Sequence, residues 1–182
     1  TLQIPYAEER KSSSLIFSGI FNSTSGVNNT NQFVIAENIT KDLNPTYGSI
    51  QKLHARDTDL IALCEDKCFR ILANKDALYN ADGSTNVTAS NNVLGQTVPF
   101  VGEYGISKNP ESFASFGFRS YFADKARGTI LRLSRDGLTD IGDKDMSFYF
   151  QDKLRTSTGA VVGSYDTDAS SYNVAIGTSN TS

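Results

Sequence analysis

Apolar residues in this chain come in short runs, separated by clusters of Asn, Asp, Ser, Thr and Gly. Short apolar runs divided by Asp- and Gly-bearing turns are the signature of antiparallel strands joined by hairpins. The clearest instance is residues 111–141. Two strand-like runs, 113–122 and 129–133, flank the polar turn 123–128, and another turn follows at Arg135-Asp136-Gly137. An earlier unit covers 50–78: a strand around 50–54, a polar break at 56–59, then a hairpin whose arms 60–63 and 69–72 meet at Glu65-Asp66-Lys67. Asn74-Lys75-Asp76 closes that unit. Upstream, the pattern predicts a strand over 15–21, a loop over 22–31, an extended stretch at 33–36 and a turn at Asn44-Pro45-Thr46-Tyr47-Gly48. Residues 80–92 read as a long polar excursion, and 93–105 as irregular structure that packs one or two aromatic rings.

One segment has helical spacing. Met146, Tyr149, Phe150 and Lys153/Leu154 recur at intervals of three and four, which predicts a helix over 145–154 capped by Asp143 or Asp145. A last hairpin pairs 160–165 with 172–176 across 166–170. The two central units also resemble each other. Leu60-Ile61-Ala62 and Tyr121-Phe122-Ala123 each lead into a tip bearing acid and lysine, and Lys75-Asp76-Ala77-Leu78 matches Arg135-Asp136-Gly137-Leu138. Their offset of about 60 residues exceeds the roughly 40–50 of a propeller blade, and the 80–105 insert accounts for the excess. The expected fold class is mainly β and antiparallel, with β-propeller-like blades and one short helix near 145–154. Residues 1–14 read as a polar arm or linker and 15–182 as the β-rich, propeller-like region. Because the first residue is Thr1, the sequence is expected to be part of a longer chain.

Composition narrows the function classes. Hydrophobic residues are 38% and charged residues only 20%, the balance being neutral polar side chains that suit half-exposed sheets and long turns. Net charge is −3, from 17 basic and 20 acidic residues, and the basic ones are interleaved with acids, as in Asp143-Lys144-Asp145. A dedicated nucleic-acid binder would carry a basic excess on one face. No apolar run is long enough to predict a membrane span.

Candidate chemistry is sparse. His54 is the one histidine and has no serine in a nucleophile-elbow context, so a structural role is expected. Zinc would need two ligands beyond Cys64 and Cys68. Those cysteines flank a hairpin tip; a disulfide there would close a loop too small to gain much, and free thiols in a reduced compartment are expected. The pairs Asp57/Asp59, Asp143/Asp145 and Asp166/Asp168 lack the further oxygen ligands of a calcium loop and read as solvated turn carboxylates. Glu103 with Glu111 or Asp124 is the least poor carboxylate pair for glycoside hydrolysis. Five Asn-x-Ser/Thr sequons, at Asn22, Asn28, Asn38, Asn86 and Asn180, fit chance in so Asn/Ser/Thr-rich a chain. No catalytic, cofactor-binding or metal residue is assigned, and no cofactor is expected. Tyr47, Tyr79 and Tyr104 are the loop aromatics on which a receptor- or glycan-binding module would stack sugars.

The stretches 31–33, 44–53, 73–83, 102–112 and 121–138, followed by Met146 and Phe150, resemble large structural proteins of tailed bacteriophages. The likeness runs from about Phe17 to Ile176. It is similar to virion proteins of marine and crAss-like phages and, at greater distance, to the β-propeller nozzle or muzzle proteins of short tails. The resemblance implies a non-enzymatic component of a tail ring, in the virion after assembly in the bacterial cytoplasm. Its implied partners are copies of itself, other tail proteins and a host surface receptor, with DNA only in transit. It transfers no functional residue.

Overall fold

The computed structural model describes residues 9–34, 36, 38–56, 59–79, 85–143 and 145–178, with side chains excepted at 74–79 and 85–92. The architecture is mainly antiparallel β with one α-helix. Fourteen strands occur in the described residues: β1 (Ser14–Ile16), β2 (Phe21–Asn22), β3 (Val27–Asn28), β4 (Thr40–Asp42), β5 (Ile50–Arg56), β6 (Asp59–Cys64), β7 (Cys68–Tyr79), β8 (Thr85–Pro99), β9 (Ala114–Phe116), β10 (Arg119–Asp124), β11 (Thr129–Ser134), β12 (Gly137–Asp140), β13 (Val161–Asp166) and β14 (Ser171–Ile176). The helix α1 covers Ser147–Thr156, between β12 and β13.

Two four-stranded meanders dominate, β5-β6-β7-β8 and β9-β10-β11-β12, each with strands paired in chain order. In both, the middle strands are buried on both faces, which is why LIALC and TILRL read as nearly continuous apolar runs. Strand alternation sends Ile61, Leu63 and Cys68 to one face of the first sheet, where they meet Phe122, Leu131 and Leu133 of the second around Ile106. The opposite face of the first sheet, with Ala62, Cys64, Phe69 and Ile71, is covered by Leu43, Leu15 and Tyr47. The far face of the second sheet presents Ala123 and Ile130 to Leu154 and Phe150 of α1 and to Val161, Tyr172, Val174 and Ile176 of the last hairpin. The order of layers is therefore N-terminal cover, first sheet, second sheet, and helix with hairpin.

Aromatic rings bind the last two layers. Phe116, Tyr165, Tyr121 and Tyr172 form one column, with successive centroids 4.7, 5.7 and 5.4 Å apart and near-parallel planes. Offset stacks of this kind add about 0.5–1.5 kcal/mol per pair beyond area burial. The Tyr172 hydroxyl donates to the Ser112 carbonyl at 2.5 Å.

Several local expectations are corrected. The strand expected over 15–21 is two short ones, β1 paired with β4 and β2 paired with β3, because the chain bends at Gly19, whose N–H bonds the Gln32 carbonyl. The predicted loop 22–31 thus contains a small hairpin. No strand forms at Phe33 and Val34, which are exposed; Ile35 lies outside the described residues. Asn74-Lys75-Asp76 does not end the first unit but lies inside β7, and most of the polar excursion is strand β8 from Thr85 onward. Thr and Val at 85, 87 and 88 are good strand formers, and ladder pairing outweighs their polar neighbours. The run 113–122 divides at Gly117, whose φ of +57° makes the reversal between β9 and β10. Helix α1 starts later than expected and neither aspartate caps it: Met146 occupies the cap position, and Asp145 sits in left-handed backbone at φ +63°. The turn at 44–48 is a 3-10 turn over Pro45–Tyr47 with Asn44 as its side-chain cap, and the last hairpin forms as expected. Within the stretch read as an arm, the Ser12 and Ser13 carbonyls accept from Ile50 N and Leu43 N, tying it to the sheet layer.

Phe122 is fully buried at the junction of the two sheets. Phe122→Ala is expected to cost about 3–5 kcal/mol in chemical denaturation, whereas the half-exposed Phe118→Ala should cost far less. Equal effects would show that the sheet junction is not the principal core.

Candidate functional site

The densest polar cluster lies where the tips of the two central hairpins meet. The Asp124 carboxylate, fully buried at the end of β10, accepts from Gly105 N (3.0 Å), Ser107 Oγ (2.8 Å), Arg127 N (3.1 Å) and Arg127 Nη1 (3.1 Å). Arg127 Nη1 also reaches Asp66 Oδ1 of the first tip at 3.1 Å. A buried carboxylate is tolerated when its lone pairs are filled and a cation faces it, and both conditions hold here.

The tip Glu65-Asp66-Lys67 is correspondingly committed. Glu65 Oε1 accepts from Ser49 N and Ser49 Oγ, which hold its carboxyl below the usual range, and Lys108 adds to this from 3.6 Å. Asp66 N donates to the Tyr47 carbonyl. Lys67 Nζ donates to Gly102 O (2.9 Å) and Glu103 Oε1 (2.6 Å). Gly105 has to be glycine at this junction, since a Cβ there would lie 2.1 Å from the Glu65 carbonyl oxygen.

These contacts locate the sequence candidates. Glu103 is paired with Lys67, Asp124 is saturated by its four donors, and Glu111 sits exposed on the short 3-10 turn Pro110–Ser112, so the three carboxylates have different surroundings. His54 lies on β5 opposite Ile61, with its ring 5.0 Å from that of Phe113. Burial, followed by the charges of Arg56 and Lys52, lowers its pKa. Cys64 and Cys68 are free thiols on opposite faces of the first sheet, one in each core, which precludes a bond between them without reversing a strand. Burial pushes the Cys64 thiol up to about 11 and raises that of Cys68 further. Among the described residues no group of three or more His, Cys, Asp or Glu is placed to hold a metal ion.

Asp59 is paired with Arg56 and Arg70, while Asp57 lies outside the described residues. Asp143 and Asp145 are both exposed. Asp166 accepts from Asp168 N and Ala169 N in an Asx turn. Tyr47 packs edge-on against Phe69, and Tyr104 packs against the core between the sheets, so both are half-buried rather than free on loops. The side chains of Tyr79 and Asn86, and the whole of Asn180, fall outside the description. Asn22, Asn28 and Asn38 each accept from the backbone N–H two residues on.

One feature had no sequence signal: a cleft of about 670 Å³ lined by residues 17–19, 29–41 in part, and 93–96. It joins segments far apart in the chain. No protein-family model matches the chain, and no curated protein matches it.

Asp124→Ala, which leaves the buried Gly105 N–H without its acceptor and Arg127 with Asp66 alone, is expected to cost about 3–5 kcal/mol. Arg127→Ala should cost less, because Gly105 and Ser107 still bond the carboxylate. A denaturant series of both variants checks the order.

The pH response has a defined sign. His54 has a depressed folded pKa, so its contribution is whole above its unfolded value of about 6.5 and is lost as pH falls through the folded value. The melting temperature should therefore begin to fall below about pH 6.5, and His54→Phe should remove that upper part of the acid limb. The Glu65 contribution, whole above about pH 4.3, is lost at lower pH.

Proposed function

We propose that this protein is a structural component of a bacteriophage tail, a nozzle or muzzle ring or its neighbour, in which the two meanders are successive propeller-like blades. The observation that carries the proposal is the uneven covering of the layers. Both inner sheets are buried on two faces, while the outer layers leave large apolar side chains in solvent. At one end these are Ile16 (66% exposed), Phe21, Val27 and Phe33; at the other they are Met146, Phe148 (87%) and Tyr149. A soluble protein that leaves apolar groups uncovered at both ends of a sheet stack is suited to further layers of the same kind. In a ring, those layers come from adjacent copies or adjacent tail proteins.

Two further features agree with this reading. The charged groups at the hairpin tips are committed to internal partners, which leaves contact formation to apolar and neutral polar groups. The net charge of −3 suits a conduit that DNA passes without adhering, since like charges repel.

Mass photometry of the full-length protein is expected to show a closed oligomer. Phe148→Asp should weaken that oligomer while leaving the melting temperature nearly unchanged, as the side chain makes little contact within the protomer. Mass spectrometry of purified virions should detect the protein, and its absence from particles would refute the proposal.

A further inference from the structure

We infer that the 670 Å³ cleft between the N-terminal cover and strand β8 is a binding site for an uncharged saccharide. The volume falls within the roughly 300–1,000 Å³ of clefts that hold small organic ligands. What selects the ligand class is the lining. Asn29, Gln32 and Gln96 each bring a side-chain amide, and none of these amides hydrogen-bonds another described residue. An amide carries two donors and an acceptor with two lone pairs, the mixed pattern that a vicinal diol answers. Phe17 and Ile39 supply apolar wall, suited to the C–H face of a pyranose ring.

Charge argues in the same direction. Among the described lining residues the one charged side chain is Lys41, and its ammonium donates to the Gly95 carbonyl at 2.7 Å. None of the described lining residues is a carboxylate, so they offer neither a counter-charge for a cation nor an uncommitted cation for an anion. The wall is also closely fitted at one point. A Cβ on Gly19 would lie 2.6 Å from Asn29 Cβ, so the segment between β1 and β2 can approach Asn29 this closely only with glycine there.

The site lies beside the apolar N-terminal end of the stack, and it does not use the tyrosines first expected to stack sugars. Its test reads ligand binding and not oligomeric state, so its failure is distinguishable from a failure of ring assembly. The full chain is titrated by calorimetry and saturation-transfer NMR with maltotriose, cellotriose, chitotriose and isomaltotriose, with sialyllactose as the anionic comparison. At least one neutral trisaccharide is expected to bind, with sialyllactose binding at least tenfold more weakly. The double variant Gln32→Ala/Gln96→Ala should weaken binding about tenfold, in line with the loss of two hydrogen bonds. Both glutamines are exposed, so the variant retains the fold, and unchanged circular dichroism verifies this. Glu111→Ala, on the distant 3-10 turn, should bind as the parent does. The inference is overturned if none of the four neutral probes binds, if the double variant binds undiminished, or if sialyllactose binds equally well.

Discussion

A carboxylate with no access to water sets the geometry at the centre of this molecule. Asp124 needs a donor for each of its lone pairs, and it obtains them from the 105–107 loop and from its own hairpin tip. Arg127, drawn in to balance the charge, reaches across to Asp66 on the other sheet. Two hairpins about 60 residues apart in the chain are thereby held tip to tip. The apolar contact of Ile61 and Leu63 with Phe122, Leu131 and Leu133 supplies the larger energy, but it is non-directional. The polar junction fixes which edge of each sheet meets which.

Much of this was legible in the residues. The middle strands β6, β7, β10 and β11 carry apolar runs beside charged tips, and the structure places β6 and β11 almost where the pattern does, while β7 runs on to Tyr79 and β10 starts only after the break at Gly117. The final hairpin was equally plain. What failed was the polar strand. Strand β8 is built largely from Thr, Asn, Ser and Gly, and only pairing with β7 makes it a strand, a long-range fact that local composition cannot carry. The helix was visible by its spacing, yet its cap was not, since Asp145 takes a left-handed conformation instead of closing the first turn.

The site was less legible than the fold for a related reason. Asp124 looked like one more turn acid, and nothing in its neighbours announces that it would be wholly buried. The lining of the cleft comes from three stretches that are unremarkable singly and meet only in the folded chain. The similarity between the two central units was readable in their buried hairpins, which obey the same demand. A sheet covered on two faces must be apolar on two faces. It was not readable in their matched tetrapeptides, since Lys75-Asp76-Ala77-Leu78 lies inside β7 and Arg135-Asp136-Gly137-Leu138 turns from β11 into β12.

The aromatic column has an optical consequence. The chain has no tryptophan, so its near-ultraviolet signal comes from tyrosine and phenylalanine. Three of its eight tyrosines stand in register between the second sheet and the terminal hairpin, close enough for their transitions to couple. The molecule thus contains a native chromophore array whose dichroism reports whether that hairpin is seated, without any attached dye.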